Sequence, residues 1–164
     1  MAGSIIIKPE IAATFKAVME HGRILMFSAP CGFGKTAVAE ALVAGRRVCR
    51  RDAGAPGFSL PSAGDDWDIL LLDELQQLQD EAEQQALCAL IRDCPEQRFV
   101  LLSRGVPPGW LMAFQYTGLM QTLDARALLL DREQTKRLLQ TYDLTLSESE
   151  LSRLHAESIG YPLA

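Results

Sequence analysis

Ser28-Ala29-Pro30-Cys31-Gly32-Phe33-Gly34-Lys35-Thr36 follows the apolar run Ile24-Leu25-Met26-Phe27 and opens onto Ala37-Val38-Ala39-Glu40-Ala41-Leu42, which reads as a helix. An apolar strand, a glycine-bearing loop, a Lys-Thr pair and a helix, in that order, make a phosphate cradle. Glycines let successive backbone N–H groups turn inward and line an anion-sized concavity. The helix adds its unpaired N–H groups and the positive end of its dipole. In such a loop Lys35 reaches the β- and γ-phosphates and the Thr36 hydroxyl is a magnesium ligand. Gly32, Phe33, Gly34 and Ala37 complete the expected nucleotide contacts. One letter departs from the usual GxxxxGK[ST] pattern, because position 29 is Ala where the pattern has Gly.

Further along, Trp67-Asp68-Ile69-Leu70-Leu71-Leu72-Asp73-Glu74 reads as a central parallel strand that delivers two carboxylates at its C-terminal end. Downstream of a P-loop this is the Walker B position. Asp73 is expected to hold magnesium, directly or through water, and Glu74 to polarise the attacking water. Without the P-loop an apolar run ending in Asp-Glu would say little, since acidic residues often follow strands. Arg98-Phe99-Val100-Leu101-Leu102-Ser103-Arg104 is another buried strand with a polar end. Ligands of open α/β sheets sit beyond the carboxyl ends of the strands, so Ser103 and Arg104 are expected to share a crevice with Lys35 and Asp73. Arg104 can then read the γ-phosphate as a sensor; its plainer reading is a solvated residue at a strand end.

Around these pieces, residues 9–22 read as a helix with Pro9 at its first position, Ile11, Phe15, Val18 and Met19 on one face, and Gly22 as its stop. His21 beside that stop suits the helix dipole rather than catalysis. The helix after the P-loop is expected to run to Gly45. Residues 46–52 read as a second strand carrying Arg46, Arg47, Arg50 and Arg51, either a phosphate or partner contact or, by preference, an edge protected by charge. Residues 53–66 are rich in Gly, Pro, Ala and Ser and read as a long mobile insertion within one domain. Glu74 through Asp93 is expected to continue as one amphipathic helix, with Leu75, Leu78, Ala82, Leu87, Leu90 and Ile91 near one face. Pro107-Pro108-Gly109 starts a helix with Trp110, Leu111 and Phe114. The last strand is either 120–123 or 128–130. Two helices with capping-box starts follow, Asp131 with Gln134 and Ser147 with Glu150. Leu138 and Leu139 are expected on the buried side of the first, and Leu151, Leu154 and Ile159 on that of the second. The fold class is therefore α/β, a three-layer P-loop NTPase with a mostly parallel five-stranded sheet followed by C-terminal helices.

At 164 residues the chain is about one domain, 1–164, with 131–164 as its helical C-terminal part. The net charge of −5 gives the domain no electrostatic footprint for nucleic acid. Cys31, Cys49, Cys88 and Cys94 contain no CxxC pair, which argues against structural zinc and for reduced thiols. Ile5-Ile6-Ile7 is far short of the roughly 18 apolar residues of a membrane span, and a cytoplasmic location is expected.

With these motifs in place, the chain resembles the nucleotide-binding domain of the STAND ATPases, an AAA+-related class of signalling proteins. Within that class it is most similar to the large LuxR-type regulators related to the maltotriose-responsive activator. Their Ala-Pro-small-Gly-aromatic-Gly-Lys-Thr loop matches APCGFGKT, their Ser-Arg sensor strand end matches LLSRGVPPGWL, and their Gly-x-Pro motif matches GYPLA at 160–164. The resemblance implies that Pro162 touches adenine, and it accounts for Ala29. It also implies an ATP/ADP switch with magnesium, slow hydrolysis, nucleotide-dependent self-association, and winged-helix, sensor and DNA-binding domains that this chain lacks. Two departures stand out: 53–66 lacks the usual crossover helix, and Asp-Glu replaces the Asp-Asp of many relatives. A small-molecule P-loop kinase and a nucleotide-locked interaction module without turnover are the alternatives. Asp73-Glu74 and the lack of an Arg-rich lid pattern argue against the kinase.

Overall fold

The computed structural model describes residues 6–158. Helix α1 (Pro9–His21) begins on its proline, buries Ile11, Phe15 and Val18, and ends at Gly22. Its face is set by the three- and four-residue spacing of those apolar side chains. Strand β1 (Ile24–Ser28) follows directly, and the loop after it leads into helix α2 (Lys35–Val43). That helix stops short of the expected Gly45, which sits in the following turn at φ 81°, a conformation open to glycine without strain.

Strands β1, β2 (Val48–Asp52), β3 (Ile69–Asp73), β4 (Arg98–Ser103) and β5 (Met120–Asp124) form one sheet in the order β2-β3-β4-β1-β5. Every pairing is parallel, so the sheet expected to be mostly parallel is parallel throughout. At the carboxyl ends Ser28 stands opposite both Ser103 and Asp124, and Asp52 opposite Asp73, while β3 ends one residue short of β4, with Leu72 opposite Leu101. Of the two candidate last strands the first forms. Leu128 instead ends helix α5 (Ala125–Leu128), which Asp124 caps by accepting from the N–H groups of Arg126 and Ala127.

Alternate residues of each inner strand go to opposite faces. Ile24, Met26, Leu70, Leu72, Phe99 and Leu101 pack with helices α3 (Glu81–Asp93) and α4 (Met112–Tyr116) on one side. Leu25, Phe27, Ile69, Leu71, Val100 and Leu102 pack with α1 and α2 on the other. This is the three-layer arrangement that all-parallel sheets require, because both faces must be covered.

The single helix expected over 74–93 is two pieces. Glu74 adopts φ 56°, Leu75–Gln77 makes one tight 3₁₀ turn, and α3 begins only at Glu81, where Asp80 accepts from the Ala82 N–H as an N-cap. Leu75 and Leu78 are buried but belong to the connecting turn, and Ala82 is exposed. The segment 53–66 contains no helix, as expected, yet it is tied down rather than loose. Phe58 and Leu60 pack on the α3 side of the core, Arg51 Nε donates to Ser59 O, and Trp67 Nε1 donates to Ser62 O. Trp67 itself lies edge-on to Phe99, with ring centroids 5.8 Å apart.

The edge strand β2 starts at Val48, two residues later than the expected 46, and the arginines before and within it are engaged within the chain. Arg47 pairs with Asp66 and Asp68, Arg50 forks onto Glu40, and Arg46 lies over the Phe15 ring. Both capping boxes form, at Asp131 with Gln134 opening helix α6 (Arg132–Thr141) and at Ser147 with Glu150 opening α7 (Glu148–Ser158). In α6 the buried residues are Gln134 and Thr135, while the expected Leu138 and Leu139 are only half-buried. Leu138 faces a cavity instead of the core. Leu151 is buried and Leu154 half-buried, as read; Ile159 and the Gly160–Ala164 motif, Pro162 included, lie outside the described residues.

Leu72 is fully buried between β3 and the α3 layer. Leu72→Ala is expected to lower the unfolding free energy by about 2–5 kcal/mol, seen as a lower urea midpoint at unchanged slope.

Candidate functional site

The carboxyl ends of β1, β3 and β4 bring the charged and polar residues read from the sequence into one place. Gly32 and Gly34 take φ 90° and 79°, and Gly34 is the residue from which α2 starts. Those left-handed positions turn the chain so that amides face inward. Position 29 carries no such demand. Ala29 is 2% exposed, its side chain belongs to the core on the α1–α2 side, and its N–H donates to Ser103 O at 3.1 Å. Among the described residues only Glu74 and Asp143 are non-glycines at positive φ, so Ala29 has an ordinary backbone and its methyl fills core space. The departure from the glycine pattern thus has a packing reason.

Lys35 is 8% exposed, and its ammonium donates to Ala29 O at 2.6 Å and Pro30 O at 3.0 Å. Burial pushes its pKa below the usual lysine value. Asp73, Cys31 and Glu74 pull the other way, and Arg104 adds to the depression. Lys35 therefore lies within electrostatic reach of Asp73, Glu74 and Arg104.

Thr36 Oγ1 donates to Asp73 Oδ2 at 3.2 Å, joining the first turn of α2 to the end of β3. The other Asp73 oxygen, Oδ1, accepts from the Glu74 N–H at 2.7 Å. Two hard oxygen donors side by side suit magnesium, which takes few protein ligands and fills its octahedron with water and phosphate oxygens. Among the described residues no group of three or more His, Cys, Asp or Glu could hold a metal by itself. A cavity of about 250 Å³ opens beside this pair, where Glu40, Arg50, Arg51 and Asp52 meet the side chains of Leu71 and Leu102.

Glu74 sits at φ 56°, ψ 42°, a conformation that costs a non-glycine residue of order 1–3 kcal/mol. Its Oε1 accepts from Arg104 Nη2 at 2.9 Å and its Oε2 accepts from Gln76 Nε2. Gln76 Oε1 in turn accepts from the Arg104 backbone N–H at 3.1 Å. Arg104 therefore lies at the expected crevice, but its guanidinium is paired with Glu74. Ser103 does not present its hydroxyl to the crevice as expected. It is 2% exposed, and its Oγ accepts from the Gly105 N–H.

A second cavity, of about 180 Å³ and mainly apolar, lies against the P-loop. Phe33, Gly34 and Ala37 line it together with Ile11, Leu130, Leu138 and Tyr142. The sequence marked the first three for nucleotide contact but not the others. Nothing in the local pattern distinguishes a leucine that lines a cavity from one that fills a core, and Gln76 read as part of a solvated helix face.

No protein-family model matches the chain, and no curated protein matches it in sequence. Solved structures do. RuvB of Thermotoga maritima is similar with a TM-score of 0.64 at 19% identity, over 96% of this chain and 59% of that one. A Walker-type ATPase of Pyrococcus abyssi gives 0.67 at 13%, over 96% and 65%. A STAND protein with a tetratricopeptide repeat sensor from Pyrococcus horikoshii gives 0.63 at 10%, over 99% and 29%. The chain spans less than two thirds of each of these proteins. At such identities the likeness is one of fold, and the fold is that of the P-loop ATPases.

Gly34→Ala isolates the backbone requirement of the loop, since no atom lies within 4 Å of the added methyl. The variant is expected to lose about 1–2 kcal/mol of stability through the left-handed φ alone, measured by thermal or denaturant unfolding.

Proposed function

We propose that the chain is an adenine-nucleotide-binding domain that hydrolyses ATP slowly and acts as a switch in a signal-responsive transcriptional regulator. The observation that carries this is the convergence of Lys35, the Thr36–Asp73 hydrogen bond, Glu74 and Arg104 at the carboxyl ends of three adjacent strands. The residues fit the group. Glycines 32 and 34 open an amide-lined loop, Lys35 holds its ammonium against two carbonyls it can exchange for phosphate oxygens, and Thr36 with Asp73 offers magnesium two oxygens. A bound magnesium ion would supply Lewis-acid stabilisation of charge on the phosphate oxygens.

The chain's own groups do the rest. Lys35 neutralises the β- and γ-phosphates, and its burial strengthens that attraction. Glu74 orients the attacking water and accepts its proton, and Arg104 reads the γ-phosphate. Phe33, Gly34 and Ala37 offer the base an apolar wall continuous with the phosphate loop. Adenine over guanine rests on the motif resemblance and on the lack of an Asn-Lys-x-Asp run, and so does a contact from Pro162. ATP and ADP differ at the γ-phosphate, which gives Arg104 the differential contact that a two-state switch needs. The transcriptional role, self-association and a cytoplasmic location rest on the resemblance; DNA contacts would come from domains outside residues 1–164. Among the described residues no helix is long and apolar enough to cross a membrane.

One observation favours a second reading, a nucleotide-locked interaction module without turnover. Both Glu74 carboxylate oxygens are already hydrogen-bonded, one of them to Arg104. While Arg104 stays on Glu74, neither can perform its role.

Calorimetry with ATP and magnesium should give binding of about micromolar strength or tighter for the wild type, and none for Lys35→Ala. Equal binding by the two would remove the P-loop assignment. Glu74→Gln should bind ATP as the wild type does and release phosphate only at a small residual rate. Steady-state phosphate release by the wild type also separates the switch from the locked module.

A further inference from the structure

Gln76 was not singled out by any motif, yet it touches both partners of the central ion pair. We infer that Gln76 is a positioning residue that keeps the Glu74 carboxylate aimed when the Arg104 guanidinium leaves it for phosphate. The inference rests on the ATPase reading above. Its physical basis is that Gln76 makes one bond to each residue, and the bond to Arg104 is to its backbone.

Gln76 Nε2 donates to Glu74 Oε2, and Gln76 Oε1 accepts from the Arg104 N–H at 3.1 Å. The Arg104 side chain is 54% exposed and held by one ion pair to Glu74 Oε1. Exposed pairs of this kind are weak, so the guanidinium is free to exchange partners. The Arg104 backbone is not. Its neighbour Ser103 is 2% exposed within β4, and the next residue, Gly105, is bonded through its N–H to Ser103 Oγ and through its carbonyl to Ser28 Oγ.

The other end of the strut is equally fixed. Gln76 lies in the 3₁₀ turn between Leu75 and Leu78, which are 1% and 3% exposed. The turn is closed by Gln77 N–H to Glu74 O and Leu78 N–H to Leu75 O, each at 2.9 Å. Loss of Arg104 from Oε1 therefore frees one carboxylate oxygen to meet a water, while Oε2 remains tied to Gln76. Without Gln76, departure of Arg104 would leave the carboxylate with no side-chain donor among the described residues, and a water-orienting group that wanders by an ångström loses most of its effect.

The test is a double-mutant cycle on the full chain. Gln76→Met keeps length and removes both hydrogen bonds. It should lower kcat about tenfold to a hundredfold, with nucleotide Kd and unfolding midpoint close to wild type. In a Glu74→Gln background the same change should cost nothing further, because the group it positions is gone. Wild-type turnover by Gln76→Met, or losses that multiply in the double variant, would overturn the inference. If Gln76→Met folds poorly, Gln76→Glu keeps the volume and the acceptor for the Arg104 N–H, loses the donor, and should show the same kcat loss. A readout without turnover is the side-chain amide resonance pair of Gln76, which should move on Glu74→Ala; an unmoved pair also overturns the inference. Phosphate release that is the same in wild type and Glu74→Gln would instead sink the ATPase reading, and the amide pair would still report on the bridge.

Discussion

Burial of β1, β3 and β4 on both faces is the constraint on which everything else rests. Ile24 to Phe27, Ile69 to Leu72 and Phe99 to Leu102 leave almost no surface to water. Such strands must be covered by helices above and below, and helical crossovers make neighbouring strands parallel. Parallel strands end on the same edge. The register sets Ser28 opposite Ser103, and β3 ends one residue lower, with Leu72 opposite Leu101, so whatever polar residue follows each strand is delivered to one crevice.

The same packing sustains local strain. Glu74 holds a left-handed backbone that few acidic residues adopt, and it does so between a fully buried Leu72 and a buried Leu75. Strain of this kind persists when the surroundings over-determine the position. Lys35 is similar in electrostatic terms. Its ammonium is buried against the Ala29 and Pro30 carbonyls, and burial holds its pKa below the usual lysine value against the pull of Asp73 and Glu74. The edge strand β2 supports the site differently: Arg50 within it pairs with Glu40, and Arg47 just before it pairs with Asp66 and Asp68, which gives the exposed edge a charged cover.

Features that depend on a few neighbouring residues were legible. Pro9 and Gly22 bracket α1, and the Asp131–Gln134 and Ser147–Glu150 boxes form as spaced. Misreadings arose where a helical spacing had another cause. Leu75 and Leu78 fit the period of α3, but they anchor a tight turn, because Glu74 leaves the helical region and Asp80 starts a new helix. Leu138 fits the buried side of α6 and instead lines the cavity beside Phe33 and Gly34. The stretch 53–66 has loop composition, but Phe58 and Leu60 pack it against the core.

By itself the sequence determined the order of strands and helices, the phosphate loop and the acidic strand end, since each is written in adjacent residues and a short hydrophobic period. Tertiary structure decided who meets whom. Thr36 reaches Asp73 across 37 residues, and Gln76 reaches the Arg104 backbone across 28, because β4 lies between β1 and β3 in the sheet. Strand order is a property of how two apolar faces are covered at once, and no local pattern encodes it. The Glu74–Gln76–Arg104 bridge exists only after that order is set.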